Sequence, residues 1–277
     1  MREDGASRTA FRVAMRRAAH QILDGHPKVL DDPIAVPIIG GADEVDPDRG
    51  PVSKHFRAFM TVRSRSAEDQ LGRAVERGTD QYVVLGAGLE TFAYRNPFPN
   101  LRVFEVDHPA TQAWKRKRLH AAAISIPENL TFVPVDFEKK SLDEELARAG
   151  FEMDRPSFFS WLAVVMYLTL EAATATLRFI ASLPRGSGIV FDYGVARSSL
   201  NLLQRAALDA LSRRVARAGE PFQLFFEPAE LVSLLRGLGF TQMEDLGTEE
   251  INRRYFESRS DGLRVAGGVW RLMAAWV

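Results

Sequence analysis

Short apolar runs alternate with helical stretches along the middle of the chain, and this alternation restricts the fold more than any other feature. The runs are YVVLG at 82–86, LRVFEV at 101–106, LTFVPV at 130–135, FFSWLAVVMYL at 158–168 and GIVFDYG at 188–194. Between and after them, LETFAYR, ATQAWKRKRLHAAA, KKSLDEELARAG, EAATATLRFIASL and LNLLQRAALDALSRRVARAG carry apolar residues at helical spacing. Strands that are apolar nearly throughout have no face to give to water, so helices must cover both sides, and a helix between successive strands makes them parallel. The expectation is an α/β fold built on a doubly wound, mostly parallel sheet. The tail changes period: FEPAELVSLLRGLGF reads as a helix closing on glycine, and after a polar stretch VAGGVWRLMAAWV reads as a final strand. A closing antiparallel hairpin fits that order.

Ahead of the first strand the pattern differs. Thr9 to Leu23 reads as an amphipathic helix, and positions 26 to 51, with five prolines and three glycines, read as loop with one short helix. Phe56, Phe59, Met60, Ala67, Leu71 and Val75 then mark a long helix closing on Gly78. We divide the chain into an N-terminal helical cap over 1–78, integrated with a core over 79–277, as one structural domain. Lys plus Arg and Asp plus Glu both number 36, so no overall field steers the chain toward nucleic acid or an anionic membrane. KRKR at 115–118 lacks interleaved aromatics and reads as a solvated helix face. There is no cysteine, which excludes thiolate chemistry and Cys-based metal sites. Asp31 and Asp32 are adjacent with no His or Cys cluster beside them; they suit a turn before Pro33 better than a metal, and no metal is expected. The longest apolar run, WLAVVMYLTL, is about half of the roughly 20 residues needed to span a membrane. The N-terminus has no apolar signal region, so a cytoplasmic protein is the expectation.

Gly86 and Gly88 lie where a ligand binds in such a sheet, at the carboxyl end of the first strand. Lacking Cβ atoms, they allow a sharp turn and a close approach of backbone to ligand. Asp107 stands at the end of the next strand, near the ~20-residue offset at which an acid takes ribose hydroxyls. A dinucleotide would need a third glycine and an uncharged helix start, but Glu90 and Thr91 stand there instead. An anion at that point favours the sulfonium or ammonium of S-adenosylmethionine over a pyrophosphate, although Glu90 could equally cap the helix. Asp136, at the end of the third strand, can accept a hydrogen bond from an adenine amino group, with the ring of Phe137 beside the base; alternatively Asp136 caps a helix near Lys139 and Phe137 is core.

Several blocks in order, RTAFRVAMRRAAHQILDGHPKVLDDPIA, VRSRSAED, VVLGAGLETFAYR, VFEVDHPATQAWKRKRL, FVPVDFE and MYLT, resemble the leucine carboxyl methyltransferase-like branch of class I S-adenosylmethionine-dependent methyltransferases. The resemblance implies a Rossmann-like core with N-terminal helices over the active site. It implies that Gly86 and Gly88 shape the cofactor loop, Asp107 holds the ribose hydroxyls and Asp136 with Phe137 frames the adenine. Arg63 of VRSR would grip the methionine carboxylate, for which a guanidinium fork is suited. The implied activity is O-methylation, of a carboxylate or hydroxyl on a small molecule or peptide. One position departs from the pattern: where relatives commonly have an acid after the tryptophan, the chain reads Trp161, Leu162, Ala163. The alternative is therefore an S-adenosylmethionine-binding module that does no chemistry, unless Glu105 makes good the missing acid. A carboxylate acceptor is already ionised at neutral pH and needs no base. A hydroxyl acceptor needs one, and His20, His55, Tyr167 and Tyr193 are the candidates; no catalytic residue is assigned.

Overall fold

The computed structural model describes residues 8–45, 50–136, 141–217 and 219–277. Helix α1 (Arg8–Leu23), the short α2 (Ala35–Ile38) and the long α3 (Pro51–Glu76) precede the sheet. Then follow β1 (Gln81–Leu85), β2 (Arg102–Asp107), α4 (Pro109–Ala121), β3 (Leu130–Pro134), α5 (Leu142–Arg148), β4 (Phe158–Trp161), α6 (Leu170–Ala181) and β5 (Gly188–Gly194). The chain closes with α7 (Leu202–Arg217), α8 (Pro228–Leu238), β6 (Gln242–Leu246), α9 (Thr248–Tyr255) and β7 (Trp270–Trp276). The seven strands form one sheet in the order β3-β2-β1-β4-β5-β7-β6. β1 to β5 run parallel, and β7 is antiparallel to both β5 and β6.

Alternation along the strands builds two cores. Val83, Leu85, Phe104, Val106, Phe159 and Phe191 face α6 and α8 through Leu177, Ile180, Leu231 and Leu235. Tyr82, Val84, Val103, Phe158 and Val190 face α3 through Ala67, Leu71 and Ala74. Every residue of β1 and β5 is buried, which is why their sequences show no polar face. Side chains like these contribute about 1.5–3 kcal/mol each when fully buried. The helix ends carry their own signals. Thr169 caps α6 by accepting from the Ala172 N–H at 3.2 Å, and Pro109 opens α4. Gly239 ends α8 in the left-handed region at φ 114°, with the Phe240 N–H closing on the Leu235 carbonyl at 3.1 Å.

The structure corrects three sequence expectations. LETFAYR forms no α-helix, only a 3-10 turn over Phe92–Arg95. Pro97 and Pro99 leave no room for a second turn, and Thr91 and Glu90 are turned toward partners elsewhere. The strand expected over 158–168 ends at Trp161, because Ala163 adopts φ 60° and leaves the ladder. The polar stretch before the last strand contains β6 and α9. β6 is a sheet-edge strand of mixed polarity, and Ile251 is the buried residue of α9, so neither has a strong apolar signature.

α1 and α2 lie over the carboxyl end of β1. Ala14 and Ala18 of α1 pack with Ile38 and Ile39, with Leu89 of the loop after β1, and with Leu119 of α4. No helix of the described residues is long and apolar enough to cross a membrane.

Candidate functional site

The chain leaves β1 through Gly86 at φ 68° and Gly88 at φ 47°, both in the region that favours glycine. The N–H groups of Gly86 and Ala87 donate to the Val106 carbonyl at 2.8 and 3.0 Å, which ties the turn to β2. Asp107 completes this tie: its Oδ2 accepts the Gly88 N–H and its Oδ1 the His108 N–H, both at 2.6 Å. Burial pushes the Asp107 carboxyl above its ordinary range, although those two N–H groups and Lys115 act in the opposite sense. The glycines are also required by packing. A Cβ on Gly86 would meet Val164 Cγ2 at 2.4 Å, and one on Gly88 would meet the Cβ of Ala10 in α1 at 3.0 Å.

Arg63 lies in the middle of α3 with only 3% of its surface exposed. Its Nη1 donates to Asp192 Oδ2 at 3.1 Å, and its Nε is sealed from solvent with no acceptor. Asp192, on β5, is buried as well, and its Oδ1 accepts the Ala163 N–H at 2.6 Å. Gly86, Val164, Ala163, Asp192 and Arg63 thus form a continuous series of contacts across the ends of β1, β4 and β5. Asp136 is half-buried just beyond β3, where the Val135 N–H donates to the Asp107 carbonyl at 2.9 Å. Phe137 lies outside the described residues. Asp192 was missed in the sequence, where FDYG drew attention only to its tyrosine. Leu162 packs against the α3-side core, so the position after the tryptophan is part of that apolar layer.

Two acids have partners that the sequence did not suggest. Glu90 is bound by Arg17 of α1, Nη1 to Oε2 at 2.5 Å, while Arg17 also donates to the Leu89 carbonyl. Burial pushes the Glu90 pKa up, but the charge of Arg17, aided by Arg95, the Thr91 N–H and Lys115, outweighs this and brings it down to about 2. Its negative charge therefore serves the contact between α1 and the loop. Glu105 is bound by Lys115 Nζ at 2.7 Å, with both side chains 1% exposed, and the same Nζ donates to the Glu90 carbonyl at 2.7 Å. This corrects the solvated reading of KRKR at its first residue. Asp32 accepts from the Thr91 hydroxyl at 2.6 Å and, through Oδ1, from the Ile34 N–H at 3.2 Å, the turn expected before Pro33.

The candidate bases are occupied. The Val29 N–H donates to His20 Nε2 at 3.1 Å, so the ring proton is on Nδ1 and is directed at Asp24 Oδ2, 2.8 Å away. Burial holds His20 below its ordinary pKa, in spite of Asp24. His55 donates from Nδ1 to the Arg264 carbonyl at 2.8 Å. The Tyr193 hydroxyl donates to Asp245 Oδ2 at 3.0 Å, and burial with the Asp245 charge pushes its pKa up. Tyr167 is pushed up to about 12, first by burial and then by Glu220. The remaining histidines, His26, His108 and His120, are an exposed loop residue, the cap of α4 and an exposed helix residue.

Ala163 carries a side chain at φ 60°, where an L-residue is disfavoured by about 1–2 kcal/mol. Ala163→Gly is expected to stabilise the fold by about 1 kcal/mol after the extra freedom of glycine in the unfolded chain is deducted. The change is read as a rise in urea midpoint at constant m. Ala123→Gly, at φ 53° beyond α4, should give a similar gain away from the site.

A mostly parallel sheet with an antiparallel penultimate strand, a glycine turn after the first strand and an acid ending the second defines a class I methyltransferase fold. Solved structures agree with that class. A Thermobifida fusca protein named as a methyltransferase superposes with TM-score 0.55 at 18% identity, covering 78% of this chain and 80% of its own. A DUF574 family protein from Streptomyces avermitilis gives TM-score 0.51 at 21% identity, covering 86% and 94%. The chain belongs to the leucine carboxyl methyltransferase family, whose model matches residues 10–181. It is 32% identical over 297 aligned positions to YktD of Bacillus subtilis (strain 168), covering 95% of each chain; the name of YktD places it with S-adenosyl-L-methionine-dependent methyltransferases. A Saccharopolyspora erythraea protein of the same naming is 33% identical over 207 positions, with 71% and 70% coverage. The chain is accordingly an S-adenosylmethionine-dependent methyltransferase.

Proposed function

We propose that the enzyme methylates a carboxylate, carried by a small molecule or a peptide, to give a methyl ester. The observation that carries this reading is the state of the bases: His20, His55 and Tyr193 are engaged elsewhere, and Tyr167 holds its proton up to about pH 12. A hydroxyl acceptor would have to lose a proton during transfer, whereas a carboxylate is already ionised at neutral pH and attacks unaided.

The residues fit the cofactor. Arg63 has a buried N–H in reserve for a carboxylate, and each Asp107 oxygen accepts one backbone N–H with a second lone pair left for a ribose hydroxyl. Gly86 and Gly88 bring backbone close to the same place, and Asp136 with Phe137 would frame the base. When bound, the cofactor supplies an electrophilic methyl group on a sulfonium. The protein's part is to orient the acceptor in line and to exclude water, and this positioning can account for much of the rate enhancement.

The test uses the lability of the product. With labelled S-adenosylmethionine and a panel of carboxylic acids, transferred label should be released as volatile methanol by mild alkali. Label that survives alkali would show ether formation at a hydroxyl and reject the carboxylate reading.

A further inference from the structure

We infer that Asp192 and Arg63 together form a matched receptor for the cofactor's α-amino-acid zwitterion, Arg63 taking the carboxylate and Asp192 the ammonium. The inference rests on the reading of Arg63 given above and adds a second, unassigned residue to it. A buried ion pair is stabilising only when its remaining hydrogen-bonding capacity is filled. In this protein one pair comes close to that limit: Arg57 holds Asp24 through two N–H groups, at 2.8 and 2.7 Å. Arg63 and Asp192 are as deeply buried, yet a single N–H joins them, at 3.1 Å. A spare guanidinium nitrogen is not in itself a mark of a site, since Arg57 also has one without an acceptor. What separates the two is the partner. Asp24 receives Arg57 twice and His20 once, whereas Asp192 receives one N–H from Arg63 and one from Ala163. A carboxylate offers about four acceptor sites, so Asp192 retains capacity for an ammonium.

Position supports the same conclusion. Asp192 is at the carboxyl end of β5 and holds the Ala163 amide, next to Val164, which roofs Gly86. This is the crevice in which ligands bind in open α/β sheets. The other nearby acids are committed: Glu90 to Arg17, Glu105 to Lys115, and Glu68 to both nitrogens of the Arg95 fork. Leu162 supplies no charge. An adjacent cation and anion are the electrostatic complement of a zwitterion, which an unpaired arginine would attract by its carboxylate while repelling its ammonium.

Calorimetry with two ligands tests the pairing: S-adenosylhomocysteine, which carries the amino acid, and 5′-methylthioadenosine, which has the same nucleoside and sulfur without it. Asp192→Asn, a near-isosteric change, should weaken S-adenosylhomocysteine by about 10- to 100-fold. Binding of 5′-methylthioadenosine should change by less than about twofold, because no hydrogen bond to it is altered. Unchanged S-adenosylhomocysteine affinity, or equal losses for both ligands, would overturn the inference; the second result would mean that Asp192 only holds the loop. If the variant does not fold, the unaltered protein serves instead. Removing the amino group of S-adenosylhomocysteine should then cost about tenfold or more, and no loss would overturn the inference. Failure of the unaltered protein to bind either ligand would overturn the function proposed above along with it, a result distinct from the others.

Discussion

Arg17→Ala will destabilise the fold by about 3–5 kcal/mol, because it leaves the buried Glu90 carboxylate without its cation. For a chain of this size that is a fall in melting temperature on the order of 10 °C. The loss combines an uncompensated buried charge with a weakened seat for α1, which also loses the Leu89 carbonyl. A second change identifies the larger part. If the unpaired charge dominates, adding Glu90→Gln should recover much of the loss, and a double variant no more stable than Arg17→Ala would refute that account. The pH dependence has a definite sign. The folded pKa of Glu90, about 2, lies below its ordinary value, so the pair stabilises the fold above about pH 4.5. That contribution is lost as pH falls through the folded value. The gap between wild type and Arg17→Ala should therefore be full at neutral pH and shrink between about pH 4.5 and pH 2.

Asp107→Ala should weaken S-adenosylhomocysteine about 100-fold, since hydrogen bonds to a charged acceptor are worth about 1.5–3 kcal/mol each and two are removed. Asp107→Asn keeps one acceptor oxygen and should lose about tenfold. An unchanged dissociation constant for Asp107→Ala would reject the ribose role. The two carboxylates should also differ in which ligands they affect. A ribose contact is shared by S-adenosylhomocysteine and 5′-methylthioadenosine, so changes at Asp107 should affect both equally, whereas Asp192→Asn should separate them. Asp107 also ties the Gly88 and His108 amides, so part of its effect will appear as loss of stability in the absence of ligand.

The sheet was legible in the sequence because burial on both faces leaves strands such as QYVVL and GIVFDYG with almost no polar residues. The glycine turn and Asp107 were legible for a related reason: their spacing is set by the path from one strand end to the next. Partnerships across the fold were not. Glu90 looked like a charge available to a ligand, but its neighbour Arg17 is 73 positions earlier in the chain, on another element. Lys115 looked solvated within KRKR, yet one step of helical rotation separates it from exposed Arg116 and turns it inward to Glu105. Asp192 had no local signature at all; its significance comes from Arg63, Ala163 and the strand end that gathers them. Pairings of this kind follow from packing, which a local window of sequence does not contain.

The strand order has a consequence for assembly. β6 precedes β7 in the chain, but its place at the sheet edge is reached only through β7, which lies between it and β5. Trp276 pairs with both Gly188 and Gln242, so the far end of the chain acts as a keystone between segments synthesised well before it. Until β7 enters, β5 has an open edge and β6 has nothing to join, and closing so long a loop is slow. Newly made chains would therefore hold the crevice formed by β1, β4 and β5 next to an unfinished margin, where intermolecular strand pairing is the competing reaction.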